Sequence, residues 1–259
     1  MTDPILQLNK ILSQYSGNKI KSYQDLKKHS ARYSTNEKIL FNLAIMEQDQ
    51  GLTNKAIMNY KKIIKIFDNY KAKINLYLIY IKNNDFLNAL ETINLIEDKT
   101  INNYKVLLDE AYIHLKVNEI KKCINICELI ISKEKENIKA LNLIGQCYLE
   151  EKNYKKAEKT FLLSFSYDDK NIAVLNSLGK LYFEIWNLKK SEFYYLKALK
   201  ENPKSYQTLN NLGGFYLETN NSEKALNFYI QAFKILPNEA TIQNNLAKSY
   251  LSIRKLEKA

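Results

Sequence analysis

Residues 206–239 read YQTLNNLGGFYLETNNSEKALNFYIQAFKILPNE, and this stretch decides the fold. Its first half carries an apolar face at helical spacing, formed by Leu209, Leu212, Gly213, Tyr216 and Leu217. After a polar break at residues 219–222, a second such face is formed by Ala225, Leu226, Tyr229, Ala232 and Phe233. Leu236 and Pro237 close the stretch. The pattern therefore predicts two helices joined by a short polar turn.

The same unit recurs along the chain with a period of 34 residues. A glycine column contains Gly145, Gly179 and Gly213, and a proline column contains Pro203 and Pro237. A tyrosine column contains Tyr80, Tyr148, Tyr182, Tyr216 and Tyr250, with His114 in its remaining slot. A column of small residues runs Ala56, Ala89, Cys123, Ala157, Ser191, Ala225 and Ala259, with a first step of 33. Fixed spacing in four columns indicates a repeat array.

Asparagine marks the predicted helix starts. Before the second helix of successive units stand Asn153, Asn187 and Asn221. Before the first helix stand Asn103, Asn137, Asn171 and Ser205. A short polar side chain at these places accepts hydrogen bonds from the free N–H groups of the first turn. Much of the asparagine content, 31 of 259 residues, is thereby explained by capping.

These boundaries divide the chain into seven repeat units and a preceding segment. The expected units are 37–69, 70–103, 104–137, 138–171, 172–205, 206–239 and a partial unit 240–259. Residues 1–36 are expected to form a divergent helix pair, roughly Pro4–Tyr15 and Lys19–Arg32. The array stops within a unit at Ala259, and we expect the natural chain to continue beyond it.

The repeat residues resemble the tetratricopeptide repeat family, whose signature is a helix–turn–helix of 34 residues. In residues 206–239 the matching slots are Leu209, Leu212, Gly213, Tyr216, Ala225, Tyr229, Ala232 and Pro237. The resemblance implies an all-α fold, a right-handed solenoid of stacked antiparallel helix pairs. It also implies a concave groove lined by each unit's first helix, at the second, fifth, sixth and ninth positions.

Three sets of residues occupy these implied groove positions. The second position is lysine in four successive units: Lys38, Lys71, Lys105 and Lys139. An apolar stripe in the first half contains Phe41, Ile45, Ile74, Leu78, Leu108 and Tyr112. An amide ladder in the second half contains Asn142, Asn176, Asn210, Asn211, Asn244 and Asn245, with Lys180 and Lys248 at the ninth position. We interpret all three sets as candidate peptide-binding residues.

Each set has two interpretations. An amide can donate to and accept from the backbone of an extended peptide, and the run 209–213 resembles the repeats of O-linked N-acetylglucosamine transferases. Asparagine here could equally be solvated and reflect composition. The stripe could hold an amphipathic helix or pack within the array. The lysines could attract an acidic ligand or simply begin exposed helices. No groove slot holds arginine, which disfavours the carboxylate clamp of chaperone-binding relatives.

We therefore expect a non-enzymatic scaffold that binds an extended or amphipathic peptide of a protein partner. The alternative is a substrate-recruiting module of a longer transferase, a sulfotransferase or glycosyltransferase, whose catalytic domain would lie beyond residue 259. The sequence indicates neither the partner nor the oligomeric state.

Catalytic and cofactor signals are absent from the sequence. There is no glycine-rich phosphate loop and no nucleophile motif, so we expect no cofactor. His114, Cys123 and Cys127 could be near one another, with Cys147 in the next unit. The first three each fill a core column, so no metal site is expected.

Charge and cysteine content indicate the setting. The formal net charge is +11, yet only two of the 39 basic residues are arginine, the residue that best grips phosphate. Nucleic-acid binding is therefore disfavoured, and the outward lysine pairs Lys121–Lys122, Lys155–Lys156 and Lys189–Lys190 are expected to be solvated. Three clustered cysteines, no secretory leader and no membrane-spanning run favour the cytoplasm.

Overall fold

The computed structural model describes residues 3–99 and 104–253. Every regular element in these residues is an α-helix, and they contain fifteen helices. In chain order these are α1 (Pro4–Ser13), α2 (Lys19–Arg32), α3 (Glu37–Asp49), α4 (Thr53–Phe67), α5 (Tyr70–Lys82), α6 (Phe86–Ile93), α7 (Lys105–Lys116), α8 (Ile120–Lys133), α9 (Ile138–Glu150), α10 (Tyr154–Tyr167), α11 (Ile172–Glu184), α12 (Leu188–Glu201), α13 (Tyr206–Glu218), α14 (Ser222–Ile235) and α15 (Ala240–Ser252).

The chain forms two compact units, Met1–Asn118 and Glu119–Ala259. In the first unit α3 packs on α4 and α5 on α6. In the second unit the pairs are α9 with α10, α11 with α12, and α13 with α14, and the first helices α9, α11, α13 and α15 also contact one another in order. Short connections make each pair a hairpin, and neighbouring pairs bury the apolar face that a single pair leaves open. The all-α fold of stacked helix pairs is thus confirmed.

Side-chain caps begin most helices where the sequence predicts them. Asn137, Asn171 and Ser205 accept a hydrogen bond from the backbone N–H three residues on, at the starts of α9, α11 and α13. Asn153, Asn187 and Asn221 do the same for α10, α12 and α14. Asn103 and Ala259, which the repeat columns also include, lie outside the described residues. The capping prediction is confirmed for the other six positions.

The N-terminal helix pair packs on the helix that follows it. Leu8, Ile11 and Leu26 are buried against Ile39 and Met46 of α3. Helix α1 ends at Ser13, two residues before the predicted Tyr15. Tyr15 instead lies in the connecting turn, where its hydroxyl donates to Asp49 Oδ2 at 2.7 Å, so its side chain anchors the turn to the end of α3.

A glycine on each first helix receives an aromatic ring from the second helix of its pair. An added Cβ at Gly145, Gly179 or Gly213 would lie 2.3 to 2.5 Å from the ring of Phe161, Tyr195 or Tyr229. In the pair α5–α6 of the first unit, Tyr77 holds the glycine position and Ile93 the aromatic one, both fully buried. In that pair the ring therefore comes from the first helix instead of the second.

Two members of the tyrosine column, Tyr182 and Tyr216, join successive helix pairs in the second unit. Tyr182 donates from its hydroxyl to Glu158 Oε1 of the preceding pair at 2.6 Å, and Tyr216 donates to Glu192 in the same way. The Lys190 ammonium lies 4.6 Å from the centre of the Tyr182 ring, a cation–π contact. Each tyrosine hydroxyl therefore bonds to the preceding helix pair, while the second helix of its own pair covers the face of the ring.

In residues 3–99 and 104–253, no helix combines the length and the apolar character that crossing a bilayer requires.

Candidate functional site

The four predicted groove lysines begin the first helices of their pairs. Lys38, Lys71 and Lys105 lie in the first unit and Lys139 in the second, and all four side chains are exposed. None of them forms an ion pair with another described residue. These four exposed ammonium groups, which have no ion-pair partner among the described residues, are available to an external carboxylate.

The apolar stripe in the first unit is formed by Phe41, Ile45, Ile74, Leu78, Leu108 and Tyr112. Phe41, Ile74 and Leu78 are half-buried and pack against the core of this unit. The Phe41 ring meets Tyr60 edge-on, with centroids 6.0 Å apart, and Tyr112 meets Phe86 in the same way. Ile45 is the most open, at 39% exposure. Most side chains of the stripe therefore pack within the unit, and only the parts of them that remain exposed can contact a ligand.

The amide ladder begins with two side chains that are drawn inward. Asn142 of α9 is only 7% exposed, and its Oδ1 has no hydrogen-bond partner. Asn176 of α11 is half-buried and donates from Nδ2 to Thr208 Oγ1 on α13 at 2.9 Å, while its Oδ1 also has no partner. Asn176 thus ties two successive first helices together, a role the sequence did not predict.

The rest of the ladder is more open. Asn245 of α15 donates from Nδ2 to Asn210 Oδ1 of α13 at 2.9 Å, a second bond between successive first helices. Asn211 is half-buried and Asn244 is exposed, and neither forms a hydrogen bond with another described residue. The amides lie on successive first helices, and of these more open members Asn211 and Asn244 are the ones whose amide makes no hydrogen bond within the described part of the chain.

The two ninth-position lysines of the second unit differ in their surroundings. Lys180 Nζ lies 3.2 Å from Glu150 Oε1 in an exposed pair, the kind of pair that contributes little to stability. Lys248 is exposed and forms no ion pair in the described part of the chain. Together with Lys139, these side chains place positive charge beside the amides of this unit.

Sequence reasoning missed the polar residues that join neighbouring helix pairs. Thr208, the partner of Asn176, occupies the third position of its unit and is fully buried. Tyr77 likewise donates from its hydroxyl to Asp109 Oδ2 of α7 at 3.0 Å. In both cases the partners are 32 residues apart, close to one repeat. A search of the sequence for polar residues about one repeat apart on successive first helices would have identified both pairs.

The cysteines are buried thiols. Cys123, Cys127 and Cys147 are all free and buried in the second unit. A hydrogen bond to Cys127, together with burial, raises the pKa of Cys123 to about 12. The pKa of Cys147 is also raised, mainly by its hydrogen bond with Cys123 and by burial. Since the thiolate is the reactive form, these two groups are inert at neutral pH. The described residues contain no cluster of three or more His, Cys, Asp or Glu side chains able to hold a metal.

Known proteins share the fold and the repeats. Models of the tetratricopeptide repeat match residues 138–171, 172–205 and 194–227. A tetratricopeptide repeat protein from Parabacteroides merdae is similar in structure, with a TM-score of 0.84 at 16% identity, covering 95% of this chain and 98% of that one. No curated protein matches the sequence.

Two further solved structures agree with this one in fold. A thermophilic TPR protein of Thermus thermophilus has a TM-score of 0.54 at 12% identity, covering 83% of this chain and all of that one. Pseudomonas aeruginosa pilF has a TM-score of 0.52 at 14% identity, covering 82% and 97%. Residues 138–227 therefore consist of tetratricopeptide repeats, and the chain shares the fold of solved tetratricopeptide repeat proteins.

Proposed function

We propose that the chain is a scaffold whose first-helix faces bind a peptide segment of a protein partner, extended along the second unit and bearing acidic residues. Tetratricopeptide repeats imply a role in protein–protein interaction, and their fold is typically non-catalytic. The observation that carries the proposal is the set of polar groups on these faces that have no partner within residues 3–99 and 104–253. In the second unit these include the amides of Asn211 and Asn244 and the ammonium groups of Lys139 and Lys248.

The chemistry of these groups matches a peptide rather than a small substrate. Each free amide can donate to a peptide carbonyl and accept from a peptide N–H. Repetition on successive first helices suits a ligand with a repeating backbone. The lysines add a preference for carboxylates, because a charged hydrogen bond is stronger than a neutral one.

The test is a selection from a random peptide library displayed on phage, followed by titration of the enriched peptides. The double variant Asn211→Ala/Asn244→Ala should weaken their binding by about tenfold or more, as expected for two lost hydrogen bonds. Asn125→Ala is the matched control, since Asn125 is an exposed helical amide on α8, a second helix. Equal affinity of the double variant and the control, with helicity retained, would contradict the role of these amides.

The acidic preference needs its own measurement. Enriched peptides should be rich in Asp and Glu. The variant Lys139→Gln/Lys248→Gln should bind these peptides more weakly than the unsubstituted chain, and the loss should be larger at low salt than at high salt. Lys159→Gln/Lys189→Gln, which changes two exposed lysines on second helices, keeps the same net charge as the test variant. If both variants weaken binding equally, only the overall charge attracts the peptide and the proposed face is wrong.

A further inference from the structure

A cavity of about 350 Å³ lies between α1 and α2 in the first unit. Polar residues line it at helical spacing, including Gln7 and Lys10 of α1 and Gln14, the residue that caps the end of α1. Helix α2 contributes Asp25, Lys28 and Arg32 together with His29. The hairpin connection and the contact between His29 and Pro4 place the last turn of α2 beside the first turn of α1.

The cavity carries excess positive charge that nothing in the described structure neutralises. Lys10, Lys28 and Arg32 form no ion pair with any described residue, and neither does Asp25, the only acid in the lining. By contrast Lys19, at the start of the same helix α2, pairs with Asp49 at 2.6 Å. Arg32 is also one of two arginines in the chain. A planar guanidinium and two ammonium groups around one cavity are suited to an oxyanion.

A buried histidine in the wall of this cavity has an unsatisfied ring nitrogen. His29 is 2% exposed. Its Nε2 lies 2.9 Å from the carbonyl oxygen of Pro4, and because a carbonyl only accepts, Nε2 carries the proton. Nδ1 has no partner, although buried polar atoms are nearly always hydrogen-bonded. In the neutral ring Nδ1 is an acceptor, so the missing partner is an O–H or N–H donor.

We propose that this cavity binds inorganic hydrogen phosphate, which keeps an O–H group at neutral pH. Lys10, Lys28 and Arg32 balance the negative charge. A protonated phosphate oxygen donates to His29 Nδ1, which neither sulfate nor a carboxylate can do at neutral pH. The volume is near the lower end for ligand pockets, which favours a ligand of few atoms.

The test is imidazole NMR of the full chain during titration with inorganic phosphate, sulfate and chloride at matched ionic strength. The chain has two histidines, and His114 lies outside the cavity, so it is an internal reference. We expect a saturable shift of the His29 resonances with phosphate, a weaker one with sulfate, none with chloride, and no movement of His114. Absence of a saturable His29 shift with phosphate would overturn the proposal. It would also be overturned if sulfate and chloride shifted the His29 resonances as much as phosphate does.

Charge variants separate a built site from general attraction to a basic protein. Arg32→Gln and Lys28→Gln should each weaken phosphate binding by about tenfold to a hundredfold, the loss expected for a charged hydrogen bond. Both side chains are exposed, so the fold should tolerate their loss. Lys21→Gln is the control, since Lys21 is an exposed lysine of α2 that does not line the cavity. Equal weakening in Lys21→Gln would overturn the site.

A second titration tests the donated hydrogen bond. Glycerol phosphate is mainly a dianion without a P–OH group at neutral pH, so it should bind more weakly than inorganic phosphate. Binding of glycerol phosphate that equals or exceeds that of inorganic phosphate would overturn the role of His29 Nδ1 as the acceptor.

Discussion

Three glycines of the second unit allow helix pairs to close because they have no side chain. At Gly179 an added Cβ would lie 2.5 Å from two carbons of the Tyr195 ring, far inside normal contact distance. At Gly214 the nearest neighbour of an added Cβ, the Tyr229 hydroxyl oxygen, would be 3.6 Å away. Both are helical glycines, so they share the same backbone preference and differ in packing.

We predict that Gly179→Ala destabilises the protein by about 1 to 3 kcal/mol, the usual cost of overpacking a core. Gly214→Ala should instead stabilise it by up to about 1 kcal/mol, because alanine loses less backbone entropy in a helix. The measurement is the midpoint of urea unfolding followed by circular dichroism. Similar shifts in the same direction would show that the Tyr195 ring moves aside and that the glycine column is not required for packing.

Buried tyrosines make the fold sensitive to alkali. Burial raises the pKa of Tyr60 and of Tyr229 from 10.0 to about 12. Each is therefore neutral in the folded state at pH values where it would ionise in the unfolded chain. Their contribution to stability is fully present below pH 10 and is lost as the pH rises from about 10 to 12, at about 2 to 3 kcal/mol each.

We predict that unfolding at high pH coincides with the appearance of tyrosinate absorbance from the buried rings. Tyr229→Phe should reduce the loss of stability between pH 10 and pH 12, because phenylalanine has no proton to release. The absorbance and the circular dichroism are followed together across this range. Ionisation of all 19 tyrosines near pH 10 with full helicity retained would contradict the prediction.

At the scale of the helix, stability at the ends depends on the capping residue. Helix α12 has Asn187 as its cap, with a side-chain bond to the N–H of Lys190 at 3.2 Å. Helix α15 begins after Glu239, whose side chain makes no capping bond. An asparagine side chain at that position can accept a hydrogen bond from a backbone N–H of the first turn, which the glutamate side chain leaves without a capping bond.

We predict that Glu239→Asn stabilises α15 by about 0.5 to 1 kcal/mol, and that Asn187→Ala destabilises α12 by about 1 kcal/mol. Hydrogen exchange of the amides in each helix measures the change locally, which suits a repeat protein whose parts open separately. Faster exchange throughout α15 in Glu239→Asn would show that the glutamate is favourable for some other reason.

Helix positions were predictable from sequence because periodic apolar residues, caps and polar turns all give the same boundaries. The columns of Gly179 and Tyr182 are repeated, so each unit supports the interpretation of the others. The ligand-facing residues were predicted less well. Asn176 satisfies the same sequence pattern as Asn210, yet its bond to Thr208 depends on the distance between two helices, which no single unit encodes. The same holds for Phe41, whose burial depends on its neighbours in space.

In the whole molecule, basic residues outnumber acidic ones and are spread along the helices. The chain has 39 basic and 28 acidic residues, a formal net charge of +11. Ion pairs such as Lys19–Asp49 and Lys180–Glu150 are exposed and add little. Repulsion among the remaining lysines therefore opposes the compact state and is screened by salt.

We predict that the thermal midpoint rises when sodium chloride is increased from low to physiological concentration. The variant Lys38→Gln/Lys71→Gln/Lys105→Gln/Lys139→Gln lowers the net charge by four, from +11 to +7. It changes exposed lysines that form no ion pair with any described residue, so it should be more stable than the unsubstituted chain at low salt and respond less to added salt. Calorimetry of both proteins across the salt range measures this difference. A midpoint that falls with salt in the unsubstituted chain would mean that attraction within its ion pairs outweighs repulsion among its lysines. In that case the charge of the lysine column would not destabilise the fold.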